Sequence, residues 1–431
     1  MKSLLKKAFI VSLIFIGATV NAQKNNRSLD NYREPDRNGI NVFESPKDTV
    51  STFENVKVRV GGASTIQFQA IDHENSFTKG ENANGVPLKD IGYNFNLATA
   101  NLDLDVALYD GIRMHLRTYL SSRHHPEPYV KGGYIQIDKL EFIKKGFMKD
   151  FMKYATFKIG HMENNYGDAH FRRSDNAQTI HNAFVGNLIM DAFTTEVGAE
   201  FYYQRSGFIG MVGFSNGKLN QDVANPDTGG ASFLAKLGYD KQITNDFRFR
   251  LTGSLYNTGQ VRTSYLYSAD RAGSRYYLVL EDEDASASGN FRSGRYNPNF
   301  GNKVTAFMIN PFVRYKGLEF FGTIESASGK RDSETEMRTS TQFAGELIYR
   351  FGKTENFYVG GRYNQVTSED SNAAEDKINI SRFQLAAGYF MTKNILIKAE
   401  YVGQKHDDYK QDVILEDGKF SGLVFEAAIS F

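Results

Sequence analysis

The nine residues Leu423–Phe431 read LVFEAAISF. Leu423, Phe425, Ala427, Ile429 and Phe431 alternate with Val424, Glu426, Ala428 and Ser430. In an extended chain the two sets lie on opposite faces. Such a period of two predicts a β-strand with one apolar face. A soluble edge strand can carry the same pattern, but a free terminal Phe on it would be an aggregation liability.

The same alternation recurs upstream. Phe247, Phe249, Leu251 and Leu255 alternate with Arg248, Arg250, Thr252 and Ser254, and Ile112, Met114 and Leu116 with Arg113, His115 and Arg117. Phe343, Leu347, Tyr349 and Phe351 alternate with Gln342, Glu346 and Arg350, and Phe357, Val359 and Tyr363 with Tyr358, Arg362 and Asn364. The pattern predicts strands near 56–71, 92–107, 111–121, 131–141, 153–163, 195–205, 207–215 and 232–241. Further strands follow near 245–256, 303–316, 317–327, 341–352, 355–366, 380–391, 394–404 and 420–431, about sixteen in all. A break in phase near Thr99–Asn101 predicts a bulge.

The connections give the architecture. Asp110-Gly111, Ser206-Gly207, Lys316-Gly317, 352–356 and Thr392-Lys393-Asn394 have the chemistry of tight hairpin turns. Long polar segments at 72–91, 122–130, 164–194, 216–231, 257–302, 328–340, 367–379 and 405–419 fall between them. Short and long connections alternate, apart from a longer link at 142–152 on the short side. This rule predicts an all-β transmembrane antiparallel barrel with short periplasmic turns and long extracellular loops. Its apolar face would meet lipid, where a midplane Arg costs about 2–4 kcal/mol. Arg113, Arg117, Arg248, Arg250, Arg362 and Arg382 are therefore expected to point inward. Tyr239, Tyr349, Phe351, Tyr363, Tyr389 and Tyr401 would form interfacial girdles.

The N-terminus agrees with export. Lys2, Lys6 and Lys7 precede an apolar run from Ala8 to Val20, and Val20-Asn21-Ala22 offers a small-residue cleavage site. Residues 1–22 are expected to be a signal peptide, 23–52 a polar periplasmic leader, extended or disordered, and 53–431 the barrel. The leader's apolar island, Ile40-Asn41-Val42-Phe43, is a candidate to dock on or inside the barrel. The chain has 34 Phe and 24 Tyr but no Trp and no Cys, which excludes disulfide scaffolds, thiol catalysis and Cys-zinc sites. With 51 Lys and Arg against 50 Asp and Glu, no basic bias points to nucleic acid.

These features together resemble bacterial general porins. NVFESPKDT, NVKVRVGGASTIQFQ, KIGHMENNYGDAHFRRSDNAQ and VGNLIMDAFTTEVGAEFYY look like the porins of Bacteroidetes, grouped near the phosphate-selective porin O and P family. The resemblance covers roughly 40–431. It implies an outer-membrane location amid lipid and lipopolysaccharide, a homotrimer, and passive diffusion of small hydrophilic solutes with a weak preference for phosphate-like anions. It also implies that Phe425, Ile429 and Phe431 are read by the barrel-assembly machinery. A plugged or structural barrel that binds a partner is the alternative, with the leader or 257–302 as plug. No cofactor or enzyme activity is expected.

Residues 161–175, HMENNYGDAHFRRSD, open the third long loop. By the resemblance, 164–194 is the loop that folds inward and narrows the channel. Glu163, Asp168, His170, Arg172, Arg173 and Asp175 would then form an eyelet with Arg113, Arg117, Arg248, Arg250, Arg350, Arg362 and Arg382 on the wall. Opposed charges across a narrow pore create a transverse field, and an arginine excess favours anions. Three other readings stay open. His161, Glu163, Asp168 and His170 are metal-ligand types, although no metal spacing appears. A catalytic centre lacks a nucleophile paired with a base. Charges that merely fold the loop are the plainest reading. Elsewhere, Glu281-Asp282-Glu283-Asp284 could hold cations that bridge lipopolysaccharide or be a solvated loop tip, and His124-His125-Pro126 reads as a turn.

Overall fold

The computed structural model describes residues 27–76, 87–121, 125–174, 178–216, 230–259, 261, 263–268, 274–411 and 413–431. The expected signal peptide, Asp175 and His124 lie outside the described residues. Sixteen strands form among the described residues. The first eight are β1 (Lys57–Glu74), β2 (Asn94–Tyr109), β3 (Ile112–Ser121), β4 (His125–Ile137), β5 (Ala155–Glu163), β6 (Thr195–Arg205), β7 (Phe208–Ser215) and β8 (Ser232–Gln242). The second eight are β9 (Phe247–Thr258), β10 (Lys303–Tyr315), β11 (Leu318–Lys330), β12 (Arg338–Phe351), β13 (Phe357–Glu369), β14 (Lys377–Thr392), β15 (Ile395–Asp407) and β16 (Lys419–Ser430).

Each strand pairs antiparallel with its neighbour in the chain, and β1 pairs with β16 to close the barrel. Closure removes every sheet edge, so each ladder group has a partner. The last residue joins the seam: Phe431 and Gly62 exchange two backbone hydrogen bonds of 3.0 Å. A Cβ at Gly62 would lie 2.7 Å from the Asn101 carbonyl, which explains the glycine. Ser206 and Gly207 both have positive φ, +54° and +92°, the twist that a two-residue hairpin needs.

Polarity is inverted relative to a soluble protein. On β12, Phe343 and Leu347 are 53% and 54% exposed, while Gln342 and Glu346 are 2% and 5% exposed. Tyr349, Phe351, Tyr363, Tyr389 and Tyr401 all stand on the outer surface. An apolar outer wall over a polar interior is the arrangement that lipid solvates.

Two details differ from the sequence pattern. β4 starts at His125 and ends at Ile137 instead of spanning 131–141. Its prolines sit at the strand's start, where a missing ladder donor is tolerated. Arg117 pairs with Gly132 and Thr118 with Val130, so Lys131 is an extra residue that reverses the strand's parity. The link 138–154 carries a short helix, α1 (Lys149–Met152). The predicted bulge lies beside its expected position: Thr65 pairs with Thr99 and Ile66 with Leu97, leaving Ala98 unpaired.

The leader, expected to be extended or disordered with an apolar island docked on or inside the barrel, is folded where the structure describes it. Residues 29–47 pack inside the turn-side end of the barrel, while 49–52 stay exposed. Phe43 is buried, with its ring edge-on to Phe171 and Phe312 at 5.8 and 5.5 Å. Loop 164–194 lies above this floor, and described residues of 257–302 lie above the loop. Val185 and Gly186 of the middle tier meet Glu400, as does Tyr276 of the upper tier. The lumen is therefore largely filled by three inserted segments.

Candidate functional site

The floor is tied down by charge. Tyr32 donates to Asp105 at 2.8 Å, and its ring lies between Arg59 and Arg113. Lys47 reaches Asp138 at 2.9 Å and the Ala155 carbonyl at 2.7 Å. Glu44 accepts two bonds from Arg250, 2.8 and 2.9 Å. Burial would raise the Glu44 carboxyl, but Arg250 and Lys236 outweigh it and hold the carboxyl down to about 2.

The loop uses the same guanidinium. Asp168 is fully buried and accepts from Arg250 Nε and Nη2 at 2.8 Å each, Lys236 at 3.0 Å and Thr252 at 2.7 Å. Burial would raise its carboxyl too, yet Arg250 and Lys236 hold it well below the usual carboxylate range. Arg250 on β9 thus clamps floor and loop together. Arg172 donates to Glu319 at 2.7 Å, Glu346 at 3.2 Å and Asn41 of the floor. Arg173 makes a two-pronged pair with Asp191 within the loop. His170 contacts Glu163 at 2.7 Å and Asn165 at 3.1 Å, and burial keeps its imidazole below the ordinary value despite Glu163.

The expected eyelet is therefore divided. Arg248, Arg250, Arg350, Arg362 and Arg382 point inward, but each meets protein. Arg248 pairs with Asp240 and donates to the Asn41 carbonyl at 2.9 Å. Arg350 pairs with Glu319 at 3.3 Å. Arg362 pairs with Glu346 and donates to the Gly186 carbonyl, 2.9 Å in both cases. Arg382 donates to the Asn187 carbonyl at 2.7 Å. A buried guanidinium needs such partners, and here the inserted segments supply many of them. Arg248, Arg250, Arg362 and Arg382 thus bind the inserted segments, and Arg350 shares Glu319 with Arg172 of the loop. Of the metal-type residues only Glu163 and His170 meet, and no three such groups converge among the described residues; Asp168 is spent on Arg250 and Lys236.

Open space remains in several places, including a cavity of about 320 Å³ between Asn41–Lys47 and the β6–β7 turn, bordered by Arg248. A cavity of about 150 Å³ runs between the β3–β6 wall and the inserted segments. Arg33, Arg113, Arg117, Lys131 and Lys158 line it against Glu34 and Glu163. Arg117 makes two bonds of 2.7 Å to Asp103, and Arg113 pairs with Asp105 at 3.2 Å, so two carboxylates stand behind these guanidiniums. Lys131 lies 4.1 Å from the Tyr119 ring centroid, and Lys158 lies 5.1 Å from that of Tyr202. Ring faces hold an ammonium without cancelling its charge. Lys158 makes no ion pair among the described residues. His170 and His181 also border the cavity, and burial keeps both imidazoles below their ordinary value.

Of the expected site residues, Glu163, His170, Arg113 and Arg117 meet at this cavity, while Asp168, Arg172 and Arg173 turn into the plug. Sequence reasoning missed Arg33, Glu34, His181 and Lys131. The first two belong to the polar leader, and the bulge hides Lys131.

No protein-family model and no curated protein matches the chain. Solved structures do. OmpT, an outer membrane protein of Vibrio cholerae, is similar over 89% of this chain and 100% of its own, at 11% identity and TM-score 0.52. The anion-selective porin of Comamonas acidovorans is similar over 88% and 100%, at 10% identity and TM-score 0.52. OmpF of Salmonella typhi is similar over 87% and 97%, at 10% identity and TM-score 0.50. At such identities the likeness is one of fold: the chain forms a closed sixteen-stranded barrel of the porin type.

Proposed function

We propose that the chain is an outer-membrane channel for passive diffusion of small hydrophilic solutes, with a weak preference for anions. The observation that carries this reading is the basic lining of the cavity beside β3–β6, five cationic side chains against Glu34 and Glu163. A cleft of one sign concentrates ions of the other, and a basic ring favours anions. Asp103 and Asp105 damp the field, which keeps the preference weak. The apolar outer wall supports residence in the outer membrane, with 1–22 as the cleaved export signal. Phe425, Ile429 and Phe431 on the outer face of β16 serve as the insertion signal. The quoted segments support kinship with Bacteroidetes porins near the phosphate-selective family, and so phosphate among the solutes. One similar structure is an anion-selective porin and another is OmpT in its trimer form, which supports anion passage and a homotrimer.

Single-channel recording in a salt gradient tests the proposal. The expected result is a stable conductance whose reversal potential favours chloride. A cation-favouring potential would overturn the selectivity, and silence from folded protein would overturn the channel. The filled lumen favours a second reading, a plugged barrel that binds a partner. A silent parent that conducts once 27–52 is deleted would support it.

A further inference from the structure

We infer that the outer wall carries a site for one phosphate-bearing bilayer lipid, across the loop-side ends of β14, β15, β16 and β1. The inference rests on the chain spanning a lipid bilayer. Three rows of outward residues cross these strands in register. The lowest is Leu385, Tyr401, Leu423 and Ala70. Above it run Phe383, Gly403, Ser421 and Asp72, then Ser381, Lys405, Lys419 and Glu74.

The lowest row is apolar and belongs to the belt. In the middle row the wall thins to Gly403 and Ser421, and a groove of about 480 Å³ opens there. Packing does not require that glycine: a Cβ at Gly403 would meet nothing within 4 Å. Phe383 and Tyr401 flank the dent with apolar surface. A hydrocarbon chain fits such a recess, since the alternative is a shallow gap that lipid must fill in any case.

The top row supplies the headgroup argument. Lys405 and Lys419 face each other directly across the β15–β16 ladder. Like charges so placed destabilise strand pairing. Lys419 is relieved by Glu74 at 2.7 Å. Lys405 makes no ion pair or side-chain hydrogen bond among the described residues. Asp72, on the row below, accepts from the Tyr93 hydroxyl at 3.1 Å and forms no ion pair with Lys405. An ammonium without a counter-ion thus sits on the rim of an apolar dent. A lipid phosphate answers the charge while an acyl chain of the same molecule lies in the groove. Free inorganic phosphate would make no use of the dent.

Native mass spectrometry of the folded protein in detergent tests the site, with dioleoyl phosphatidic acid and dioleoylglycerol as probes. These lipids share their chains and differ in the phosphate. Retention of one phosphatidic acid and no diacylglycerol is expected. Gly403→Leu should fill the groove and Lys405→Ala should remove the charge, each weakening retention by about tenfold, the scale of one charge-assisted hydrogen bond. Both positions face outward, so heat-modifiable electrophoretic mobility and conductance should match the parent. Equal retention of the two lipids, or unchanged retention by the variants, would overturn the site. A changed subunit stoichiometry in Gly403→Leu would mark the face as a contact between copies and overturn it too. Conductance reports on the channel separately, so failure of one proposal is not read as failure of the other.

Discussion

Asp168→Asn should release loop 164–194 from the wall. The carboxylate receives four side-chain hydrogen bonds, two from Arg250, one from Lys236 and one from Thr252. Breaking a buried ion pair by removing one partner costs about 3–5 kcal/mol. The lower end applies, because Arg250 keeps Glu44 at 2.8 Å and Asp240 at 3.1 Å, and Lys236 keeps the Gly167 carbonyl at 2.7 Å. A loss of about 3 kcal/mol raises the undocked population about 150-fold. The chain has no cysteine, so one introduced thiol reports on one place. Ala183 in the loop is 5% exposed, and Ala183→Cys is a small change there. A membrane-impermeant maleimide should label that thiol about 150-fold faster when Asp168→Asn is added, if loop opening and closing outpace labelling. The electrophoretic position of folded protein must stay constant. A labelling rate within about threefold of the parent, under 1 kcal/mol, would refute the clamp. Because the native carboxyl titrates below the usual range, its contribution is present above the unfolded value and is lost as pH falls toward the folded one. Mild acid should therefore leave the loop docked.

Three further outcomes are expected. Lys131→Glu with Lys158→Glu replaces two ring-held cations of the cavity by carboxylates, and the reversal potential should move from the chloride side toward the cation side; an unmoved potential would separate the cavity from the ion path. Gly186→Ala sets a Cβ 2.0 Å from the Tyr276 hydroxyl, so the middle and upper tiers should part, seen as faster hydrogen exchange over 274–294 with the barrel strands unchanged. Glu281 pairs its carbonyl with the Lys89 amide at 2.9 Å, and burial, with Asp282 beside it, pushes its carboxyl up to about 7. Its neutral form favours the docked loop, so docking is firmest below the ordinary carboxylate value and weakens as pH rises toward 7. Exchange at the Lys89 amide should quicken from pH 5 to 8, corrected for intrinsic rates, and Glu281→Gln should abolish that added dependence.

The strands were legible because lipid enforces the simplest pattern a sequence can carry. Every outward residue from Phe247 to Leu255 must be apolar or small, and every inward one is free to be polar, so period two survives in each span. Turn chemistry then divides the run, as at Ser206-Gly207. The pattern failed where geometry changed parity. The extra residue at Lys131 turns its side chain inward against the alternation, and the prolines of 126–128 read as a loop although a strand begins with them.

The leader and 257–302 were candidate plugs from the sequence, but which leader residues face the interior was hidden for a different reason. In a soluble protein a docking segment must match an apolar core, so it shows an apolar stripe. Inside this barrel the wall is Arg, Glu, Asn and Gln, and a segment that packs there must be polar too. Glu44, Lys47 and Tyr32 are therefore interior residues in a stretch whose composition is that of a solvated leader. Phe43, against Phe312 and Phe321, Leu29 and Ile40 carry the ordinary signal of burial. The same inversion governs the arginines. Parity predicts that Arg248, Arg250, Arg362 and Arg382 face inward, but parity is silent about what they meet. In a wide barrel they would border water and set a field. Here carboxylates and carbonyls from the leader, the loop and the wall reach them, and the charges are spent on holding these segments together. Along the cavity Lys131 and Lys158 lie over the rings of Tyr119 and Tyr202, while Arg113 meets Asp105 and Arg117 meets Asp103 on the wall. What an inward charge meets therefore depends on the inserted segments as well as on the wall, and the alternation along the strands does not contain that information.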